Sequence, residues 1–172
     1  LTVNDIVFII GPRINAAGRI QDARQAVDLL ISANAAQALF EGKNIDEKNS
    51  ERRSLDLNIT EQALQIIQED SLFAKRKSTV LFHPEWHKGV IGIVASRLTE
   101  KYYRPTIILT ESNGLATGSA RSVKDFDIYN AIESCSDLLE QFGGHMYAAG
   151  LTLKLENLEK FSERFEEIVA AT

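Results

Sequence analysis

Between Asp46 and Ser54 the chain passes through nine consecutive residues without one apolar side chain, inside a stretch from Asn34 to Glu69 that is otherwise rich in helix formers. A helix of that composition has no face to bury, so it bridges two packed bodies through solvent, supported by pairs between Glu47 or Glu51 and Arg52 or Arg53. The character of the stretch changes at Gly42-Lys43-Asn44, and beyond the polar section Leu55, Ile59, Ala63, Ile66 and Ile67 restore an apolar stripe at helical spacing. That stripe docks the far end of the helix on whatever follows. The expected organisation is residues 1–43, a connecting helix over 44–71 and a second domain over 72–172, with Lys75-Arg76-Lys77 at the junction as solvated charge.

In the first part, the apolar run Ile6–Ile10 ends at Gly11-Pro12, where the missing donor of proline and the preceding glycine stop regular pairing. A loop is predicted to follow. Gly11-Pro12-Arg13-Ile14-Asn15-Ala16-Ala17-Gly18-Arg19-Ile20 places Arg13, Asn15 and Arg19 among small residues. Guanidinium forks suit phosphate oxygens; a surface loop with solvated arginines accounts for the same residues. A helix is predicted over 23–32, started by Asp22, with Ala26, Leu29 and Leu30 on one face.

The second part alternates strands and helices. Ser78–Phe82 reads as a short buried strand ending at His83-Pro84, and a buried helix with Ile91, Val94, Ala95 and Leu98 on one face follows Gly89. His87 stands at the electropositive start of that helix, where an anion is welcome. His83 and His87 are four residues apart, but Pro84 breaks the helix that would align them on a zinc ion. Pro105–Thr110 is a second apolar strand, Ser112-Asn113-Gly114 a turn, and Leu115–Ser122 a returning strand whose alternation puts Ser119 and Arg121 on one face. A hydroxyl beside an arginine is a ready phosphate contact, and equally an ordinary exposed sheet face. Asp125-Phe126-Asp127 resembles a metal-binding acid pair, yet Asp127 precedes the helical stripe Ile128, Ala131, Ile132, Cys135 and reads more simply as its N-cap.

The octet Gly143-Gly144-His145-Met146-Tyr147-Ala148-Ala149-Gly150 is poor in packing side chains. Paired glycines permit positive φ and leave backbone N–H groups bare, and an imidazole beside them supplies a donor whose charge changes near neutral pH. Phosphate is the ligand this suggests; a tight turn with a hydrogen-bonded His145 is the alternative. Leu151–Leu155 alternates as a half-buried strand, and Asn157 is expected to cap a last amphipathic helix carrying Leu158, Phe161, Phe165, Ile168 and Val169. Its acids Glu156, Glu159, Glu163, Glu166 and Glu167 read as a solvated face.

Composition narrows the ligand classes. A net charge of −5 over 172 residues excludes coating nucleic acid by bulk attraction, so any phosphate site is local. No apolar run is long enough to span a bilayer, and the single Cys135 fits a reducing compartment as inert core. A cytoplasmic protein with no membrane association is expected. The start at Leu1, running straight into an apolar segment, reads as a cut inside a longer protein.

Three separated signatures then agree. Gly11-Pro12-Arg13-Ile14-Asn15-Ala16-Ala17-Gly18-Arg19, His87-Lys88-Gly89-Val90-Ile91-Gly92-Ile93-Val94-Ala95-Ser96-Arg97-Leu98 and Gly143–Gly150 together resemble the RecJ family of single-strand-specific DNA exonucleases in the DHH phosphoesterase superfamily. The first resembles a motif at the end of the family's catalytic domain, and the other two resemble motifs of its DHH-associated domain. The resemblance implies an α/β fold with a mixed central sheet flanked by helices, preceded by helices and the long connecting helix. It also implies a two-domain clamp whose N-terminal domain holds two Mn²⁺ or Mg²⁺ ions and whose C-terminal domain grips single-stranded DNA. The Asp-His-His cluster is missing from this sequence, so the metal ligands and catalytic groups are expected upstream of Leu1 and the family's OB-fold region is not expected before Thr172. This stretch alone is then expected to be inactive and to hold no cofactor.

Carried over position by position, the resemblance casts Arg13, Asn15 and Arg19 as phosphate ligands near the metal site, and His87, Ser119, Arg121, Gly143, Gly144 and His145 as ligands of the strand's phosphates. The implied activity is hydrolysis of successive phosphodiesters from the 5′ end in recombination and repair. Two other readings use part of the same pattern: the substrate-binding half of a phosphodiesterase acting on dinucleotides or short oligonucleotides, and a non-enzymatic RNA- or tRNA-binding module like those accompanying alanyl-tRNA synthetases.

Overall fold

A computed structural model describes residues 1–20 and 22–172. They form two units, Leu1–Leu57 and Asn58–Thr172.

The first unit is helical. Asp5–Ile10 makes a π-helical turn that runs into α1 (Gly11–Ile20), followed by α2 (Arg24–Leu30) and the first part of α3 (Ala35–Glu69). The loop predicted after Gly11 is therefore a helix. The reason is backbone pairing: no strand among the described residues of this unit could complete a ladder with Ile6–Ile10, whereas a helix pairs its N–H and C=O groups within the segment. Pro12 fits because it lies in the first turn of α1. Asp22 Oδ1 accepts the Arg24 N–H at 2.9 Å, as expected for the start of α2. Leu30, expected on the buried face with Ala26, is instead 70% exposed.

The long helix is continuous across the expected polar stretch, with Lys48 paired to Glu51 at 3.1 Å. It is not solvated all round. Ile45, Asn49, Asp56, Ile59, Ala63 and Ile67 are all buried, and their spacing of three, four or, from Asn49 to Asp56, seven residues draws one stripe along its length. Two polar residues carry that stripe through the section where the apolar pattern lapses, so hydrophobicity alone does not reveal it.

In the second unit a turn of 3₁₀ helix (Phe73–Lys75) precedes β1 (Thr79–Phe82); α4 (Ile91–Tyr102), β2 (Thr106–Ser112), β3 (Leu115–Arg121) and α5 (Ile128–Glu133) follow. A hairpin of β4 (Leu139–His145) and β5 (Ala148–Lys154) leads to α6 (Leu158–Ala170). The sheet order is β1-β2-β3-β5-β4, with β1 parallel to β2 and every other pair antiparallel, which makes the α/β mixed sheet that was expected. The β2–β3 turn places Asn113 at φ 55° and Gly114 at φ 76°, the paired left-handed geometry of a tight hairpin.

One face of the sheet carries the core. Ala116, Ala120, Leu151 and Leu153 meet Ile128 and Ile132 of α5 and Phe161 and Phe165 of α6, with Cys135 fully buried among them. Burial pushes the Cys135 thiol up to about 11, so it stays neutral and unreactive, as expected of inert core. Asp127 does cap α5, its carboxylate accepting the Asn130 N–H at 3.0 Å. Asn157 does not cap α6: its amide donates to the Leu138 carbonyl at 3.1 Å instead. Helix α4 packs on the opposite face, over β2 and β3.

Two expectations about charge are corrected. Glu166 is not simply solvated; its carboxylate accepts the N–H groups of Lys77 at 2.7 Å and Ser78 at 2.8 Å, stapling α6 to the start of β1. Nor is the junction loose charge. Arg76 pairs with Asp70 at 3.3 Å, and its carbonyl together with that of Phe73 accepts from Arg104, whose guanidinium lies 3.8 Å from the Phe73 ring centroid. Burial lowers the Arg104 pKa from its ordinary value, with Glu166 acting against that shift.

Candidate functional site

Because directly paired residues of antiparallel strands point to the same side of a sheet, the register of β3, β5 and β4 defines the face away from the core. Three rows cross it. Arg121 pairs with Ala148 and Ala148 with His145; Ser119 pairs with Gly150 and Gly150 with Gly143; Thr117 pairs with Thr152 and Thr152 with Gln141. Helix α4 packs on this face at β3, while His145, Gly143, Gly150 and Gln141 are exposed. The result is an open floor three strands wide, with Arg121 and Ser119 along one side and His145 on the other, about 10 Å away at two strand spacings.

The middle row is bare because two of its three residues are glycine. A Cβ built at Gly143 meets nothing within 4 Å, and one at Gly150 only just reaches the Gly118 carbonyl at 3.9 Å. Gly144 is a different case. At φ 154° its added Cβ would lie 2.4 Å from the Ala148 carbonyl oxygen and 2.5 Å from Ala149 Cα, so the hairpin closes only with glycine there. The expectation of positive φ thus applies to Gly144 and not to Gly143, whose missing side chain opens space over the sheet.

The functional groups are held in place locally. Arg121 Nη1 donates to Ser119 Oγ at 3.0 Å and to the Ala120 carbonyl at 2.7 Å, aligning the guanidinium along its own strand. His145 Nδ1 accepts the Tyr147 N–H at 3.2 Å, which leaves Nε2 as the donor of the neutral ring. The hairpin tip is tied down by Ser122 N–H to the Tyr147 carbonyl at 3.0 Å and Ile128 N–H to the Met146 carbonyl at 3.1 Å. A cation with a hydroxyl on one side of a glycine floor and an imidazole N–H on the other can contact the non-bridging oxygens of successive phosphates without touching a base.

His87 accepts the Gly89 N–H on Nδ1 at 3.1 Å, while its carbonyl accepts from Val90 and Ile91 at the entry to α4. The neighbouring Lys88 lines a groove of about 390 Å³ with Thr117, Gln141, Gly143, Gly150 and Thr152. The sequence reading passed over Lys88. It also passed over Gly92, where an added Cβ would come within 2.9 Å of Ser119 Oγ and 3.0 Å of Arg121 Nη2. A glycine inside a helical run was the available signal: it lets α4 approach the strand beside both groups.

In the first unit, α1 spreads its three candidates. Asn15 and Arg19 are exposed and four apart, hence on one side, whereas Arg13 points elsewhere and is held by Asp46 and by the Ile9 carbonyl at 2.8 Å. Among the described residues no three His, Cys, Asp or Glu side chains converge on a point that could hold a metal ion, so these residues do not fit the divalent pair that the family resemblance implies. Among the described residues no helix is long and apolar enough to cross a membrane.

The family model of the DHHA1 domain matches residues 75–171, more than half of the chain. The chain belongs to the DHHA1 family. Curated proteins extend the likeness into the residues that precede the DHHA1 region: the single-stranded-DNA-specific exonuclease RecJ of Bacillus subtilis is 39% identical over 167 residues, 96% of this chain and 21% of that protein. RecJ of Escherichia coli is 35% identical over 176 residues, covering 98% of this chain and 30% of that protein. Among solved structures, Thermus thermophilus RecJ in complex with Mg²⁺ superposes with a TM-score of 0.88 at 34% identity, over 98% of this chain and 26% of that one. The chain therefore spans about a fifth to a third of the length of these relatives. The resemblance read from the three motifs is borne out along the whole chain, DHHA1 domain and preceding helices alike.

Proposed function

We propose that this chain is the strand-gripping portion of a metal-dependent, single-strand-specific DNA exonuclease of 5′ to 3′ polarity acting in recombination and repair. Residues 72–172 form the substrate-binding DHHA1 domain, 44–71 the connecting helix and 1–43 the end of the catalytic domain. The observation that supports this best is the strand register that sets Arg121, Ser119 and His145 around the bare row of Gly143 and Gly150 on one open face. Arg121 binds a non-bridging phosphate oxygen with the Ser119 hydroxyl beside it, and His145 donates from Nε2 to the next phosphate along. The glycines let the sugar–phosphate chain lie against the sheet, and Gly144 keeps the hairpin closed beneath it. His87, Asn15 and Arg19 extend the grip. Arg13 joins it on exchanging Asp46 for phosphate.

In the full-length enzyme, Mn²⁺ or Mg²⁺ bound by residues outside this chain activates the attacking water. The residues here position the strand and exclude base reading, consistent with cleavage that depends on single-strandedness rather than sequence. The whole protein is a cytoplasmic hydrolase.

The test is a fluorescence-anisotropy titration of this chain with a labelled single-stranded oligonucleotide. Affinity falls with salt by about 0.7 log units per log unit for each phosphate contacted. Arg121→Ala and His145→Ala each weaken binding several-fold and lower that slope; unchanged titrations for both variants at low salt would sink the assignment. Competition by a dinucleotide as strong as by the long strand would favour the short-oligonucleotide reading.

A further inference from the structure

The sheet has a second open feature, on its opposite face and at its opposite edge. Among the described residues strand β1 pairs with β2 alone, so its outer edge carries no partner strand there. Thr79 N–H bonds the Pro105 carbonyl at 2.9 Å and His83 N–H that of Leu109 at 3.2 Å, so by alternation the N–H and C=O groups of Val80 and Phe82 turn to the vacant edge. The side chains of Val80 and Phe82 are only half buried. With Leu158 of α6 they floor a groove of about 760 Å³, the Glu166 staple to Ser78 closing one end; Arg76, which also lines the groove, pairs with Asp70 at 3.3 Å. The rim on the helix side is acidic: Glu159, Glu163 and Glu167 stand four residues apart along α6 and are all exposed. Among the described residues none of the three pairs with a cation.

Spacing selects the occupant. Carboxylates four residues apart on a helix are separated by about 6 Å along its axis. Side chains on one face of an extended strand repeat every ~6.6–6.8 Å. A strand laid on the β1 edge would therefore present every second side chain to successive glutamates. Lysine or arginine there would lay its methylene stem over Val80, Phe82 and Leu158 and bring its charge to the carboxylates. A neutral apolar strand would leave the rim unpaired, and an acidic one would be repelled by it.

We propose that the β1 edge and the α6 glutamate ridge form a docking site for an extended segment of a partner protein with Lys or Arg at alternate positions, bound by strand addition. This site is independent of the nucleic-acid reading, because it lies on the core face of the sheet and carries the opposite charge.

The test uses this chain and a labelled peptide of alternating Lys and Thr, with an alternating Glu and Thr peptide as control. The basic peptide binds, the acidic one does not, and Val80 and Phe82 amides gain hydrogen-exchange protection on binding. The triple variant Glu159→Gln/Glu163→Gln/Glu167→Gln, all at exposed positions, lowers peptide affinity at least tenfold while single-stranded DNA affinity changes less than about threefold. Equal peptide affinity for the parent and the triple variant overturns the proposal. So does binding without added protection at Val80 and Phe82, which would show diffuse charge attraction. Self-association in sedimentation that the triple variant abolishes would assign the edge to a second copy and overturn it as well.

Discussion

The two units differ most in what their apolar side chains do. In Asn58–Thr172 most of the large ones are buried, with Phe161, Phe165, Ile107, Leu109, Ile128, Ile132 and Leu153 all fully covered, although Leu72, Tyr103 and Tyr147 are exposed. Among the described residues of Leu1–Leu57 the buried apolar side chains are Ala16, Ala17, Ala26 and Ile45, with Ile14 and Leu29 packed against the last three, while Phe8, Leu30, Ile31, Leu39 and Phe40 are each at least 63% exposed. A large apolar side chain left in water forgoes about 1.5–3 kcal/mol of burial, and the first unit leaves these five open. The contrast separates a self-sufficient domain from one whose helices satisfy their backbones but not their side chains. The side chains proposed to bind phosphate are therefore pre-positioned in the second unit, whereas those proposed on α1 sit on helices whose large apolar side chains lie open.

Truncating the same side chain in both units puts this contrast to its hardest test. Phe165→Ala removes a fully buried ring stacked on Phe161 at 6.0 Å and should cost about 3–5 kcal/mol in denaturant unfolding. Phe8→Ala, at a position 70% exposed, should change the same transition by less than about 0.5 kcal/mol. Comparable losses would mean that the units unfold as one and that the first is better integrated than its burial shows.

A second pair sharpens the comparison inside the site. Gly144→Ala forces a Cβ to 2.4 Å from a backbone oxygen in the hairpin and should destabilise the second unit by about 1–3 kcal/mol, read by thermal unfolding. Gly143→Ala places its methyl in open space, so stability should move by less than about 0.5 kcal/mol while the DNA titration weakens. If Gly143→Ala binds DNA as the parent does, the bare floor is structural only. A smaller loss of about 1 kcal/mol is expected for Asp127→Ala, which removes the bond to the Asn130 N–H, with no change in DNA affinity.

What could be read from the sequence follows the same division. The strands and α4 of the second unit were legible because Ile91, Val94, Ala95 and Leu98 repeat at helical spacing and Leu151 and Leu153 at strand spacing, and these are buried; Leu155, expected to continue the strand, lies past its end and is exposed. The hairpin was not, because Gly143, Gly144 and Gly150 carry no side chains to display a period; their register comes from pairing with β3, a long-range fact. Residues 5–20 misled because a short apolar run is equally strand or helix, and the absence of a pairing strand decides the matter. Alternation alone placed Arg121 and Ser119 on one face, where the structure pairs them. Gly92, Lys88 and Glu166 owe their importance to neighbours distant in sequence.

The smallest predicted effect concerns acid. Arg164 donates to the Asp137 carboxylate and holds its pKa below the usual range, and in the first unit the Thr2 N–H does the same for Asp5. A depressed carboxylate contributes stability that is present above its unfolded pKa and is lost as pH falls through the folded value. Asp137 ties the turn before β4 to α6, so its contribution belongs to the cooperative transition of the second unit; Asp5 is tied only to Thr2, three residues away. Both groups lie at the surface, where solvent and salt screen the effect, so it is small and shrinks as ionic strength rises. Asp137→Asn should flatten the acid limb of the second unit's unfolding midpoint, measured from pH 7 to below the ordinary carboxylate range, and Asp5→Asn should leave that limb as it was. Equal flattening by both variants would show that protons taken up by the first unit are felt in the core of the second, which a self-sufficient domain does not allow.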